Sequence, residues 1–129
     1  MMKRVLHYFN GAAYAAMRVV FAFLYWSHGV RWLFGIFGGK PVAAFTLVWS
    51  AGVIETICGS LMLLGLWTSP AAFVASGEMA VAYFMVHNPR SHLPIVNGGE
   101  ITVALSFAFL FIATHGSGAF SIDALRGKR

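Results

Sequence analysis

Four long apolar stretches, separated by short breaks rich in glycine, proline and polar residues, dominate this sequence. They run over about residues 11–34, 42–66, 70–87 and 99–115. A transmembrane helix needs about 20 mostly apolar residues, and each stretch approaches or reaches that length. The pattern therefore predicts one all-α domain over residues 1–129, an integral membrane protein folded as an antiparallel four-helix bundle.

The composition supports a membrane protein over a soluble one. Hydrophobic residues make up 59% of the chain and charged residues only 10%, whereas a soluble domain carries about 25% charged residues. A chain of 129 residues has too much surface for its volume to hide so many apolar side chains from water. The single cysteine, Cys58, excludes an intrachain disulfide framework and any C-x-x-C metal or redox motif.

Basic residues predict the orientation. The formal net charge is +5, and five of the basic residues lie near the termini: Lys3, Arg4, Arg126, Lys128 and Arg129. The connections on the opposite side carry three: Arg31, Lys40 and Arg90. Cytoplasmic flanks are richer in Lys and Arg, so we expect a bacterial inner-membrane protein with both termini in the cytoplasm. Basic ends around a nearly uncharged middle indicate contact with anionic lipids, and not with nucleic acid.

The break between the second and third stretches is very short. Ser69 suits the N-cap position of the third helix, and Pro70 suits its first helical position, where a missing N–H costs nothing. We therefore expect these two helices to form an antiparallel hairpin.

Three ionisable residues lie deep within the apolar stretches: Arg18, Glu55 and Glu78. At a rise of 1.5 Å per residue, they fall about 10–16 Å from the inner ends of their helices. A charge at the centre of a transmembrane helix costs about 2.5–3.5 kcal/mol, and such residues usually face the bundle interior. We expect Arg18 to pair with one carboxylate and leave the other without a cation, as a catalytic proton- or quinone-binding site requires. The alternative is an Arg–Glu pair that only fixes which helix faces pack.

A second group of polar residues is expected near the outer side. His28, His87 and Glu100 fall at similar depth and form a candidate binding cluster. Imidazole and carboxylate groups suit Zn, Cu or Fe, but no H-x-x-H or C-x-x-C spacing is present, so no metal ligands are predicted.

These residues occur in segments that resemble the DoxX family of small four-helix membrane proteins. The segments are Arg18 with His28-Gly29 and Leu33-Phe34-Gly35, Glu55-x-x-x-Gly59 with Leu64-Gly65-Leu66-Trp67-Thr68, Ala82 to His87-x-Pro89, Asn97-Gly98-Gly99-Glu100, and Gly116-x-Gly118-x-x-Ser121-Ile122-Asp123. The chain departs from the family at Trp32, where many members have Lys; Arg31 lies one position earlier.

The resemblance implies redox work in the membrane without naming a substrate. Some members are similar to the membrane subunit of a thiosulfate:quinone oxidoreductase, and others are linked to oxidative-stress complexes or metal-handling gene clusters. The leading hypothesis is therefore a small subunit of a redox-linked membrane complex or homo-oligomer, with a quinone as the candidate cofactor. A purely structural or assembly subunit is the alternative, and a small proton-coupled exporter is the third.

Overall fold

The computed structural model describes residues 1–128 and contains helices but no strand in that range. The all-helical prediction is therefore confirmed for these residues. The helices are α1 (Met2–Tyr8), α2 (Asn10–Phe34), α3 (Leu47–Leu64), α4 (Thr68–Ala82), α5 (Pro94–Asn97), α6 (Glu100–His115) and α7 (Ile122–Leu125), and α4 continues into a π-helical turn, Tyr83–His87. Arg129, a predicted basic flank residue, lies outside the described residues.

The connection between α2 and α3 is longer than predicted. Gly35 ends α2 in the left-handed conformation, at a φ of 71°, and its N–H bonds to the Arg31 carbonyl. The second apolar stretch was expected to become helical at about residue 42, but α3 begins at Leu47. The Thr46 hydroxyl fixes this start because it accepts a hydrogen bond from the N–H of Trp49.

The α3–α4 turn is short, as predicted, but its cap differs. Gly65 ends α3 at a φ of 66°, and α4 begins at Thr68, two residues before Pro70. Trp67 takes the N-cap position in a left-handed conformation, with no hydrogen bond from a capping side chain. The prediction of Ser69 as the N-cap was therefore wrong. The first amides of α4 instead face a carboxylate from the far end of the chain, described below.

Two helix pairs pack most extensively, α2 with α3 and α4 with α6. Close approach of α2 and α3 depends on glycine: a Cβ at Gly59 would lie 2.7 Å from the Cβ of Trp26. Between α4 and α6, the hydroxyls of Ser76 and Ser106 each donate to the other residue's backbone carbonyl, at 2.7 and 3.0 Å. Small residues and reciprocal polar contacts of this kind are typical of helix pairs in lipid.

Two helices are long and apolar enough to cross a membrane: α3, and α4 with its π-helical turn, Thr68–His87. Only 28% of each apolar window is buried, which is unlike the core helix of a soluble protein and leaves most apolar side chains facing outward. Helix α6 is apolar but has only 16 residues, fewer than the roughly 20 of a typical span. Helix α2 has 25 residues but includes Arg18, His28 and Arg31. Spans at α2 and α6 remain predictions.

Candidate functional site: a buried carboxyl cluster

Tyr25 of α2, Glu55 of α3 and Glu78 of α4 meet where these three helices pack together. We call these three residues the carboxyl cluster. Tyr25 is 1% exposed and Glu55 6% exposed, whereas Glu78 is half-buried. The cluster is closed on the α6 side by Phe109, whose ring centroid lies 5.0 Å from that of Tyr25 in an edge-to-face arrangement.

Glycine allows α2 to lie this close to Glu55. A Cβ at Gly29 would fall 2.8 Å from the Cβ of Glu55 and 2.6 Å from the backbone nitrogen of Thr56. Because Gly29 follows Tyr25 by one helical turn, the two residues face the same neighbour. The close contact at Gly29 therefore holds the Tyr25 hydroxyl beside the carboxyl groups.

Three oxygen atoms of the cluster are buried without a hydrogen-bond partner among residues 1–128: Tyr25 Oη, Glu55 Oε2 and Glu78 Oε2. Buried polar atoms nearly always have a partner, so each exception calls for an explanation such as a catalytic role or an exchanging proton or water. Within the described residues, no Lys, Arg or His lies within ion-pairing distance of either glutamate. The cluster thus contains two acids and a phenol but no countercharge.

Arg18 does not join this cluster, and the predicted ion pair with Glu55 or Glu78 was wrong. Its guanidinium donates instead to the backbone carbonyls of Ser117 and Phe120. Arg18 is only 2% exposed. It lies beside Gly65, which is ten residues, or about 15 Å along α3, from Glu55. Arg18 therefore binds the C-terminal segment and leaves both glutamates without a cation.

Residues 116–123, which we call the C-terminal clasp, fold against the α3–α4 turn. The Tyr14 hydroxyl donates to the Gly116 carbonyl, and the Asp123 N–H donates to the Gly65 carbonyl at 3.0 Å. The Ser117 hydroxyl donates to Asp123 Oδ2 at 2.6 Å. None of these contacts of Tyr14, Ser117 and Asp123 was predicted from the sequence.

The Asp123 carboxylate faces the uncapped start of α4, although its Oδ1 forms no hydrogen bond within the described residues. Its pKa is lowered, mainly because the Ser117 hydroxyl donates to it, and further by the backbone amides of Trp67 and Thr68 and by Arg126. Burial acts in the opposite direction but is weaker. A negative charge at the N-terminus of a helix is favourable, so Asp123 stabilises both the clasp and the start of α4.

The predicted outer cluster is not brought together. His87 contacts the start of α6: its Nδ1 lies 3.3 Å from the Asn97 carbonyl and its Nε2 lies 3.4 Å from Thr102 Oγ1. Glu100 is exposed and lines one open depression, while His28 is exposed and lines another on α2. Over the described range, no three His, Cys, Asp or Glu side chains are grouped so that they could hold a metal ion.

Asn97, which was not predicted to have a role, organises the loop before α6. Its amide nitrogen donates to the Tyr83 hydroxyl at 3.0 Å and to the Ser91 carbonyl at 2.8 Å, and its amide oxygen accepts from the N–H of Gly99 at 2.8 Å. The Asn97-Gly98-Gly99 motif is thus explained by this contact. An Asn followed directly by two glycines was the signal available in the sequence.

The outward-facing apolar helices around buried polar residues define a helical membrane protein. The DoxX family model matches residues 13–88, which is more than half of the chain, and the chain belongs to this family. It is also similar to an uncharacterized protein of Haemophilus influenzae, with 36% identity over 116 residues that cover 84% of this chain and 87% of the relative. No solved structure matches the chain.

Proposed function

We propose that this protein is a small subunit of a redox-linked membrane complex, in which the carboxyl cluster exchanges the protons that accompany quinone chemistry. The observation that carries the proposal is the set of three buried, unpartnered oxygens on Tyr25, Glu55 and Glu78 among the described residues. Burying an ionised carboxylate is very costly without a countercharge. Two adjacent carboxyls therefore favour states in which at least one holds a proton.

A proton-exchanging group also needs a route to its surroundings. Glu55 is 6% exposed, whereas Glu78 is half-buried and reaches the helix surface. Next to it, Gly77 leaves open space: a Cβ there would meet no atom within 4 Å. We therefore assign Glu55 the role of inner proton holder and Glu78 that of the group which passes the proton to or from a partner surface.

The chain supplies no electron carrier in this proposal. A quinone gains or loses protons together with electrons, and a partner subunit would supply the redox group that handles the electrons. Tyr25 places a neutral hydroxyl beside the carboxyls, and this hydroxyl could donate a hydrogen bond while a proton is exchanged. Arg18 was predicted from the sequence to be a catalytic residue, but in this proposal it has a structural role in the clasp.

The membrane placement is part of the same proposal. The chain spans the bacterial inner membrane four times as an antiparallel bundle, with α2, α3, α4 and α6 as spans and both termini cytoplasmic. The 25-residue length of α2 and the excess of Lys and Arg near the termini support this topology. Impermeant labelling in intact cells tests it, with one cysteine introduced at position 2 or at position 128 of a chain in which Cys58 is replaced by alanine. Labelling of either position from outside would contradict the topology.

A purely structural accessory subunit is the second candidate. The specific observation in its favour is that the buried cation, Arg18, binds backbone carbonyls of the clasp through both terminal nitrogens and pairs with no carboxylate within residues 1–128. In that case the carboxyl cluster only specifies helix packing, and its side chains would be replaceable by neutral ones of the same shape. No contact in residues 1–128 favours the exporter hypothesis over these two.

Quinone-dependent turnover of the purified complex separates the two candidates. Glu55→Gln and Glu78→Gln keep the shape of the side chain but remove its exchangeable carboxyl proton, so we expect each to lower turnover by about tenfold or more. Glu100→Gln is the matched control, since Glu100 is exposed and lies outside the cluster. Unchanged turnover in both cluster variants, with the complex intact, would leave only the structural role.

A further inference from the structure

We propose that the Phe34 end of α2 binds the phosphate group of an anionic phospholipid. The site is an open depression of about 230 Å³, lined by Phe23, Ser27, His28, Arg31 and Phe37. It is separate from the carboxyl cluster, because Tyr25 and Gly29 face the interior whereas His28 and Arg31 are exposed.

The depression is cationic and contains no acid. The Ser27 hydroxyl already donates to the Leu24 carbonyl at 2.7 Å, so the Arg31 guanidinium and the His28 imidazole are the free donors. Neither forms an ion pair or a side-chain hydrogen bond within residues 1–128. Arginine binds phosphate through two parallel N–H···O bonds, which makes a phosphate group the matching ligand.

The Arg31 side chain packs against the loop that follows α2. Its side chain lies against Gly39, where a Cβ would fall 3.0 Å from Arg31 Nε. The loop that carries Gly39 is fixed to α2 at both ends, by the Gly35 N–H bonded to the Arg31 carbonyl at 3.0 Å and by the Val42 N–H bonded to the Trp32 carbonyl at 2.9 Å. A side chain that already packs against a fixed loop loses less conformational entropy when it binds a ligand.

Aromatic rings line the other part of the depression. Phe37 is a non-glycine residue in the left-handed region, at a φ of 56°, and its ring lies edge-to-face with Trp26 at 6.5 Å. Phe23 stacks on Trp26 at 6.0 Å. Unfavourable backbone conformations tend to persist at ligand clamps, and here the conformation places a ring in the depression that Arg31 and His28 line.

The order of these residues along α2 favours a lipid over a free phosphate ion. Arg31, Ser27 and Phe23 are spaced by four residues and lie on one helix face. Beyond Phe23, Val19 and Val20 are exposed, so the surface changes from cationic to apolar over about three turns. A molecule with a charged head and an apolar tail matches this change along the surface. Inorganic phosphate would contact only the cationic end of the surface.

Native mass spectrometry of the full chain, released from vesicles of equal phosphatidylglycerol and phosphatidylcholine, tests the site. We expect the unmodified chain to retain phosphatidylglycerol preferentially, and Arg31→Gln and His28→Gln to reduce that retention by about fivefold, the equivalent of one charge-assisted hydrogen bond. Arg90→Gln removes an exposed positive charge that lies outside both the termini and the depression, and it should leave retention unchanged.

Equal retention in the two variants and the unmodified chain, or an equal loss in Arg90→Gln, would overturn the proposal. His28→Gln decides the matter if Arg31→Gln disturbs the Gly39 loop, because the His28 side chain has no hydrogen bond to lose within residues 1–128. Excess inorganic phosphate distinguishes the two sources of the group. Failure to displace phosphatidylglycerol supports the lipid, and full displacement would overturn the lipid assignment.

Discussion

Arg18 in α2 donates a hydrogen bond to the backbone carbonyl of Ser117, which lies 99 positions later in the chain. A second bond from the same guanidinium reaches Phe120 at 2.7 Å. Because Asp123 of the same segment binds Gly65 and faces the start of α4, one buried arginine links the first long helix to the α3–α4 turn through the C-terminal clasp. Arg18 and Asp123 have opposite charges but do not pair; each compensates backbone groups of another element.

Replacing Arg18 should therefore weaken the fold through the clasp. Arg18→Ala leaves two carbonyls without their donor, and hydrogen bonds to charged groups contribute about 1.5–3 kcal/mol each. We expect the free energy of unfolding in detergent to fall by about 3 kcal/mol, with part of the loss recovered in Arg18→Lys. Arg4→Ala, an exposed change in α1, should have little effect.

A double-mutant cycle distinguishes this arrangement from the ion pair that the sequence suggested. Arg18 and Glu55 lie about 15 Å apart along the bundle, so the effects of Arg18→Ala and Glu55→Gln on unfolding should add within about 0.5 kcal/mol. A larger coupling would mean that the guanidinium reaches the carboxyl cluster after all.

Asp123 should make stability depend on pH at the acid end. Its pKa is lower in the folded chain, chiefly through the Ser117 hydroxyl. The ionised group therefore stabilises the fold above its unfolded pKa of about 3.9, and this contribution disappears as the pH falls through the lower folded value. Unfolding at pH 7 and at pH 3 should show that Asp123→Asn is destabilising at neutral pH and less so in acid.

The matched control for this pH dependence is Glu100→Gln. Glu100 is an exposed acid at the start of α6 and makes no ion pair within the described range. If Asp123→Asn and Glu100→Gln change the pH profile equally, the clasp is not its source.

The contact between α2 and α3 can be tested with a pair of glycines. A Cβ at Gly59 would lie 2.7 Å from the Cβ of Trp26 and 2.9 Å from its Cα, so Gly59→Ala should destabilise the chain by about 1–3 kcal/mol through overpacking. Gly77 has open space around it, and Gly77→Ala should be neutral or stabilise α4 by up to about 1 kcal/mol. Thermal unfolding of both variants measures the difference, and similar midpoints would contradict the close approach at Gly59.

The sequence predicted the helices better than the contacts between them. Hydropathy and the Gly and Pro breaks located the four long helices, and the cost of exposing a charge to lipid placed Glu55 and Glu78 on interior faces. The partner of Arg18 was missed because backbone carbonyls leave no trace in the sequence, whereas two nearby acids suggested an obvious pairing. The cap of α4 was missed for a related reason: Asp123 is more than fifty positions from Thr68, and capping patterns are read locally.

Tyr25→Phe separates stability from function within the carboxyl cluster. The Tyr25 hydroxyl is buried, and none of the described residues gives it a hydrogen bond. Removing a buried hydroxyl that lacks a partner costs no hydrogen bond and relieves its desolvation, so the free energy of unfolding should stay equal or rise. The ring contact with Phe109 at 5.0 Å is retained. If the cluster exchanges protons, the same change removes the neutral hydroxyl that lies beside the glutamate carboxyls, and quinone-dependent turnover of the complex should fall. A variant that is both as stable and as active as the unmodified chain would show that the hydroxyl serves neither purpose, whereas a stable variant with reduced turnover would identify Tyr25 as a residue kept for function at no benefit to the fold.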